Sequence, residues 1–512
     1  MTGAECLLKT LVAGGLDTCF MNPGTSEMHF VAALDRVPGL RGVLCLFEGV
    51  CSGAADGYAR ATGRPAATLL HLGPGLANGL ANFHNARKAR SPIVSIVGEH
   101  ATPHLQVDAP LTSDIQAFAR TVSSHVRTAR GADDVGPAAA ETIAAAWGPP
   151  GSVATLIVPA DHSWSATDVL GSPLPRRAPA LPSGEALDTA ARLLRQPGTA
   201  LLLGGQAVNF RALAAAGRIA AATGARLVTA RNVAKIASGR TCFPAPQVPY
   251  FPEAALPFLA GIQNLLLVEA ERPVSFFAYP GTPSYMTPDT CRHHVLAQRG
   301  EDGTAALEAL AEGLSRFSLP QADIPAAPFE DVALTLDHMG RTLAALLPDN
   351  ALVADEMVSS AGKILAYLKA AAPHEFMPVT GGSIGQGLPV ATGAAIGCPN
   401  RQVVALEADG SGMYTLQSLW TMARENLNVV TVILANRRYR ILDIEMQRTG
   451  AKAFGPHAES MLDIGNPDLQ WTGLAQSLGV SATRATTARQ FTEQFRDALR
   501  QTGPRLIEAL LD

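Results

Sequence analysis

The chain has no CxxC pair. Its seven cysteines, at 6, 19, 45, 51, 242, 291 and 398, are an odd number. That argues against a disulfide framework and against a zinc site, and points to buried reduced thiols in a cytoplasmic protein. No run of about 18 or more apolar residues occurs, so no membrane span is expected. The amino terminus lacks a basic segment followed by a long apolar stretch and reads instead as an amphipathic helix through Leu7, Leu8, Leu11 and Val12. Neither sign of charge dominates: 40 Lys and Arg stand against 44 Asp and Glu, a net of −4. A nucleic-acid partner is therefore not expected, and a small molecule is. No short-period repeat, low-complexity tract or G-x-x-x-x-G-K-[ST] phosphate loop is present.

What is present is a globular composition, 47% hydrophobic and 16% charged, over 512 residues. That length exceeds one hydrophobic core and suggests three domains. Two proline-rich stretches, 171–184 and 318–330, break the pattern. Each proline removes a backbone donor and biases its predecessor to extended geometry, so these read as linkers. The expected domains are 1–170, 185–317 and 331–512. Apolar segments at 67–72, 91–99, 198–205, 225–230, 264–270, 401–408 and 427–436 alternate with helical patterns, including 76–90 and 414–425. Such strand–helix–strand units predict an α/β fold of mostly parallel sheets flanked by helices.

The segment 401–408 runs into Ala408-Asp409-Gly410-Ser411, and one crossover later the next strand ends at Asn436. This brings Asp409 and Asn436 to neighbouring carboxyl edges, where open α/β sheets bind ligands. A carboxylate and an amide oxygen are hard donors suited to Mg²⁺, which favours phosphate oxygens. Gly410 lets the backbone approach a diphosphate. Taken alone, the segment is equally an ordinary turn with an acidic helix cap. An EF-hand is excluded because Trp420 stands at the twelfth loop position.

The run ADGSGMYTLQSLWTMARENLNVVTVILANRRY resembles the thiamine-diphosphate motif, GDG followed by about 27 residues and NN, with Ala408 for its first Gly and Arg437 for its second Asn. The resemblance implies Mg²⁺ ligands at Asp409, Asn436 and the carbonyl of Arg438. It also implies cofactor contacts from Ser359, Gly382, Gly410, Ser411 and Tyr439. Residues 44–79, LCLFEGVCSGAADGYARATGRPAATLLHLGPGLANG, resemble the pyrimidine-binding domain of the same family, whose activating glutamate falls at Glu48. An apolar strand delivers Glu48 poorly solvated, so its pKa is expected to rise. The implied chemistry is proton sharing with the aminopyrimidine ring, which draws the thiazolium C2 proton and generates the ylid. A helix-start carboxylate is the plain alternative. The stretch GGSIGQGLPVATGAAIG, 381–397, resembles the one that cradles the cofactor's centre, with Ile384 as the wedge under the thiazolium.

Together the three segments are similar to the thiamine-diphosphate-dependent 2-oxo acid decarboxylase and acetohydroxyacid synthase family. Local features resemble benzoylformate decarboxylase: the loop Asn22-Pro23-Gly24-Thr25-Ser26-Glu27 with Thr25 at the substrate-contacting serine, and His71 at an active-site histidine. Pro110-Leu111 stands where the synthases carry Phe-Gln. The second histidine is matched by Ala278, which slows protonation and favours carboligation. Ile441, Leu442 and Glu445 share one helix face and by resemblance wall the substrate pocket. The stretch 437–440 reads either as charge complementary to an anion or as a solvated loop. His71 has a structural alternative as a core histidine; His29, His84, His100 and His104 read as surface or structural, and His293-His294 as solvated. The implied activity is decarboxylation of a 2-oxo acid, with carboligation of acetolactate-synthase type as the rival and a catalytically silent regulatory homologue as the third reading. Intact Glu48, Asp409 and Asn436 oppose the last. No residue of the middle block demands a flavin. A homodimer or homotetramer is implied, with Glu48 of one subunit serving the cofactor held by the other.

Overall fold

The computed structural model describes every residue except 279, 316–318, 320–322, 451–454 and 512. The start of the second proline-rich stretch and the end of the middle block therefore lie partly outside the described residues. Three sheets organise the chain. The first contains β1 (Thr18–Asn22), β2 (Arg41–Leu44), β3 (Ala66–Leu70), β4 (Ile93–Glu99), β5 (His125–Thr128) and β6 (Val153–Pro159), in the order β2-β1-β3-β4-β6-β5. The second contains β7 (Thr199–Leu203), β8 (Arg226–Thr229), β10 (Asn264–Val268) and β11 (Arg292–Ala297), ordered β11-β10-β7-β8. The third contains β12 (Ala351–Glu356), β13 (His374–Pro378), β14 (Val403–Ala408), β15 (Val429–Ala435), β16 (Ser481–Ala485) and β17 (Arg505–Leu510). Its order is β16-β17-β15-β14-β12-β13-β9, where β9 is Ile236–Ser238.

All named strand pairs are parallel except β9 with β13, which is antiparallel. The reason is visible in the strands: β6 and β15 are buried along their whole length, as parallel strands covered by helices on both faces must be. The short β9 leaves the middle segment to pair on the edge of the third sheet, which no apolar pattern announced. Among the described residues no helix is long and apolar enough to cross a membrane. All seven cysteines are free, and five are buried.

One apolar cluster spans the first and third sheets, joining Val50, Tyr58 and Phe83 to Leu388, Val390 and Met422. Its axis is the contact between helix Glu48–Thr62 and helix Gly387–Gly397. Small residues bring the two backbones together. A Cβ on Gly57 would lie 2.1 Å from the Val390 carbonyl oxygen, and one on Gly393 would lie 1.7 Å from that of Ala54. Neither position has room for a side chain.

The pattern over 414–425 predicts one helix; the chain instead forms the short helices Asp409–Gly412 and Ser418–Arg424. Between them Thr415 donates its hydroxyl to the Gly385 carbonyl at 3.0 Å. The tertiary bond and the glycines at 410 and 412 draw the segment out of a continuous helix.

Candidate active site

The carboxyl ends of β14 and β15 bring Asp409 and Asn436 to adjacent edges, with Ala408 paired to Leu434. Asp409 accepts the Gly410 amide on Oδ1 at 2.9 Å and the Arg437 amide on Oδ2 at 2.6 Å. It is 3% exposed, and burial pushes its carboxyl up to about 6 against the pull of those two amides. Asn436 accepts the Arg438 amide on Oδ1 at 3.0 Å. The chain folds back here through Arg437, whose φ is 57°. Gly410 faces the Tyr439 ring so closely that a Cβ would sit 2.6 Å from it. Ser411 donates to Glu407 at 2.6 Å.

The arginines after Asn436 divide in their roles. Arg438 forks onto both oxygens of Asp443 and reaches Glu459 at 2.7 Å. Its guanidinium is thus engaged by protein carboxylates, which removes it from the anion-complementing reading; Arg437 and Arg440 are exposed. Helix Arg440–Arg448 buries no residue. Ile441 and Glu445 are half-buried on it, and Leu442 is exposed. Glu445 pairs with Arg448 at 2.8 Å, and Arg448 also forks onto Glu253. The helix touches the turn Val358–Ser360, where Ser359 is half-buried.

The glycine-rich turn is held from below and from the side. Glu356 accepts the amides of Gly385, Gln386 and Gly387 at 2.8, 2.8 and 2.6 Å. Its partner across β12 and β14 is Glu407. Burial lifts Glu356 to about 7 and, with the neighbouring Glu356 charge, holds Glu407 well above the usual carboxylate range. The turn presents Gly382 at φ 81° and Gly385 at φ 90°, with Ile384 half-buried between them.

From the first sheet, three asparagines on helix Leu72–Ala89 reach this region. Asn78 donates to Glu48 Oε2 at 2.9 Å, Asn82 bridges the carbonyls of Gly49 and Gly385, and Asn85 donates to the Ser383 carbonyl. His84 meets the Gly381 carbonyl at 3.2 Å. A fully buried ion pair, Asp56 with Arg60, adds Gln386, Thr380 and the Pro378 carbonyl to the same network.

Glu48 opens its helix at 8% exposure. A Cβ on Gly75 would lie 3.4 Å from Glu48 Oε1 and 3.5 Å from His71 Cβ, so this glycine separates the two side chains. His71 Nδ1 lies 2.8 Å from Glu27 Oε2. Glu27 is buried, which raises its pKa against the opposing pull of His71. Two glycines make the seat: a Cβ on Gly24 would strike the His71 ring at 2.2 Å, and one on Gly98 would meet Glu27 Oε1 at 1.7 Å. Thr25 is exposed in the same turn, Pro110 is exposed and Leu111 half-buried. Ala278 is exposed in a loop of the middle block.

Sequence reasoning quoted the Asn22–Glu27 loop but gave a role only to Thr25 and missed Glu27. It also missed Asn78, Asn82 and Asn85, although their spacing of four and three puts polar groups on one face of a helix rich in small residues. The Asp56–Arg60 spacing of four carried a similar signal. Glu356 had none, because its role is set by strand pairing.

The arrangement can hold a cation and a diphosphate. Asp409 is a buried carboxylate whose hydrogen bonds come from backbone amides, so a divalent ion would relieve its lost hydration. Thiamine diphosphate fits a glycine turn with a protruding apolar residue beside a carboxylate on the facing domain.

Residues 1–120 match the model of the thiamine pyrophosphate enzyme N-terminal TPP binding domain, and residues 358–509 that of the C-terminal TPP binding domain. The chain is 48% identical to the Mycobacterium tuberculosis protein "Putative acetolactate synthase large subunit IlvX", over 100% of this chain and 99% of that one. It is 29% identical to benzoylformate decarboxylase of Pseudomonas aeruginosa over 96% of each chain. Among solved structures, the thiamine diphosphate-dependent 4-hydroxybenzoylformate decarboxylase of Rhodococcus jostii RHA1 superposes with a TM-score of 0.86 at 25% identity, covering 99% of this chain and 98% of that one.

Proposed function

This chain belongs to the thiamine pyrophosphate enzyme family, and from that premise we propose that it decarboxylates a 2-oxo acid. The observation that carries this choice is the Glu27–His71 pair at 2.8 Å, beside Glu48 across Gly75. A buried carboxylate holds the imidazole in one orientation, so His71 can hold or deliver a proton at the reacting carbon. Thiamine diphosphate, when bound, supplies a carbanion nucleophile and an electron sink.

The chain's own residues do the rest. Asp409, Asn436 and the Arg438 carbonyl would hold Mg²⁺, and Gly410, Ser411 and Tyr439 would surround the diphosphate. Ser359, Gly382 and Ile384 would seat the centre of the cofactor. Glu48, braced by Asn78, would share a proton with the pyrimidine ring. Thr25, His71, Pro110, Leu111, Ile441, Leu442 and Glu445 would face substrate.

Carboligation is the second reading, favoured by Ala278 at the position matched to a histidine and by the acetolactate synthase name borne by the 48% identical relative. Incubation with cofactor, Mg²⁺ and a panel of 2-oxo acids separates the two. Both reactions release CO₂, so the other product decides: a predominant aldehyde supports net decarboxylation, and a predominant acyloin or 2-hydroxy-2-acyl acid refutes it.

A cytoplasmic homodimer or homotetramer completes the reading, with Glu48 of one subunit serving Asp409 and Asn436 of another. Within one chain, however, Asn82 already ties the Glu48 helix to Gly385. Mixing Glu48→Gln with Asp409→Ala chains decides between the arrangements. Hybrids recover one intact site per pair if the site is shared, and none if it lies within a chain.

A further inference from the structure

Between β10 and β11 the middle block sends out a hairpin-like loop, in which Val274 pairs with Tyr285 and the Ser275 amide donates to the Ser284 carbonyl at 2.8 Å. Its apolar side chains stay open: Phe276 is 44% exposed, Phe277 53% and Tyr285 50%. Three large rings on one loop are an unusual apolar exposure and mark a binding surface.

The loop's position says what it binds. Phe276 leans over the glycine turn, where a Cβ on Gly382 would lie 2.5 Å from the ring. Behind Phe276 stand Phe277 at 4.9 Å and Tyr250 at 5.0 Å between ring centres. Tyr250 meets Phe251 edge to face at 4.9 Å, and Arg448 stacks on Phe251 at 4.3 Å. The aromatic train therefore runs without a break from the turn of Gly382 and Ile384 to helix Arg440–Arg448. The tilted rings offer both edges and faces, the geometry in which one more aromatic ring packs favourably.

We propose that Phe276 and Phe277, backed by Tyr250, form a wall of the substrate pocket that selects an aryl side chain on the 2-oxo acid. The proposal rests on the reading of this chain as a 2-oxo acid enzyme and assigns the middle block a part in specificity. The rings are specificity-determining residues and take no part in proton transfer.

The test compares the parent holoenzyme, loaded with thiamine diphosphate and Mg²⁺, with Phe276→Ala, Phe276→Leu and Phe277→Ala. Calorimetry reads the binding of two unreactive 2-hydroxy acids, one aryl-substituted and one lactate. Kinetics read the ratio of kcat/KM for an aryl 2-oxo acid to that for pyruvate. Loss of a ring from a hydrophobic pocket is expected to weaken aryl binding, and to lower the ratio, by about tenfold or more. Phe276→Leu, which keeps an apolar contact without a ring, should fall between parent and alanine variant.

An aryl ligand insensitive to all three substitutions overturns the wall, as does an equal loss for aryl ligand and lactate. Sedimentation supplies another refuting outcome: if the variants differ from the parent only in dissociating, a second copy covers the rings. A parent that turns over pyruvate but shows no Phe276 dependence refutes this inference alone. A parent that turns over no 2-oxo acid, aliphatic or aryl, refutes the proposed function and the wall with it.

Discussion

Replacing Arg60 by Met should destabilise the protein strongly, because it strands a buried charge. The Arg60 and Asp56 side chains are both 0% exposed. Arg60 bonds both Asp56 oxygens through Nε and Nη2, and donates further to the Pro378 carbonyl at 2.9 Å and Thr380 Oγ1 at 2.8 Å. Without it Asp56 keeps only the Ser91 hydroxyl and the Gln386 amide, neither carrying charge. Removing one partner of such a pair costs roughly 3–5 kcal/mol. For domains of this size each kcal/mol moves Tm by about 2–4 °C, so a fall of roughly 6–20 °C is expected. Differential scanning fluorimetry at one fixed scan rate reads it. Arg60→Met with Asp56→Leu should recover most of the loss, since an apolar pair of similar volume often replaces a buried ion pair at little cost. The single variant should also bind thiamine diphosphate more weakly, because Pro378 and Thr380 lead into the glycine turn. A Tm change under about 2 °C for Arg60→Met, or a double variant no better than the single, would refute the reasoning.

Glu48→Gln keeps size and a hydrogen-bonding group but loses the proton-sharing carboxylate. Exchange of the thiazolium C2 proton, followed by quenched-flow NMR, should slow by a factor on the order of 10², with cofactor still retained; equal rates remove Glu48 from the mechanism. Asp409 is raised to about 6 by burial, so its charged form is disfavoured in the fold, and the stability it lends at low pH is lost as pH rises through that value. Mg²⁺ with thiamine diphosphate neutralises the carboxylate, so their stabilisation of the protein in thermal scans should be greater at about pH 7.5 than at about pH 5. A stabilisation independent of pH, or one that survives Asp409→Ala, counts against the metal assignment. Gly98→Ala places a Cβ 1.7 Å from Glu27 Oε1 and must push that carboxylate off His71. Decarboxylation should fall by up to about 10² with cofactor affinity intact, as for displacement of a positioned catalytic group. His71→Ala should act in the same direction, and unchanged kinetics in both would return His71 to a structural role.

Much of this protein is written locally in its sequence. Parallel strands buried on both faces are largely apolar, so β14 and β15 stand out as runs of Val, Ile, Leu and Ala broken only by Glu407 and Thr431. One crossover of fixed length between two such strands then forces Asp409 and Asn436 to adjacent edges, whatever the rest of the chain does. Glu48 is legible as the first polar residue after the apolar run Val43–Phe47, although β2 takes only Val43 and Leu44 of that run. Other features depend on contacts between segments far apart in the chain. Glu27 becomes the partner of His71 only because Gly24, in the turn after β1, and Gly98, on β4, leave room for the two side chains. Glu356 becomes the anchor of the glycine turn only when β12 pairs with β14 and sets it against Glu407. Phe276 reads as any loop aromatic until the middle block docks and carries it over Gly382. Arg438 looks free to meet a phosphate until the chain returns Asp443 and Glu459 to it. Period and spacing are imposed by the geometry of one strand or helix and are visible in a short window of sequence. Room for a side chain, and the charge that answers another charge, are decided by which surfaces meet when the three sheets pack.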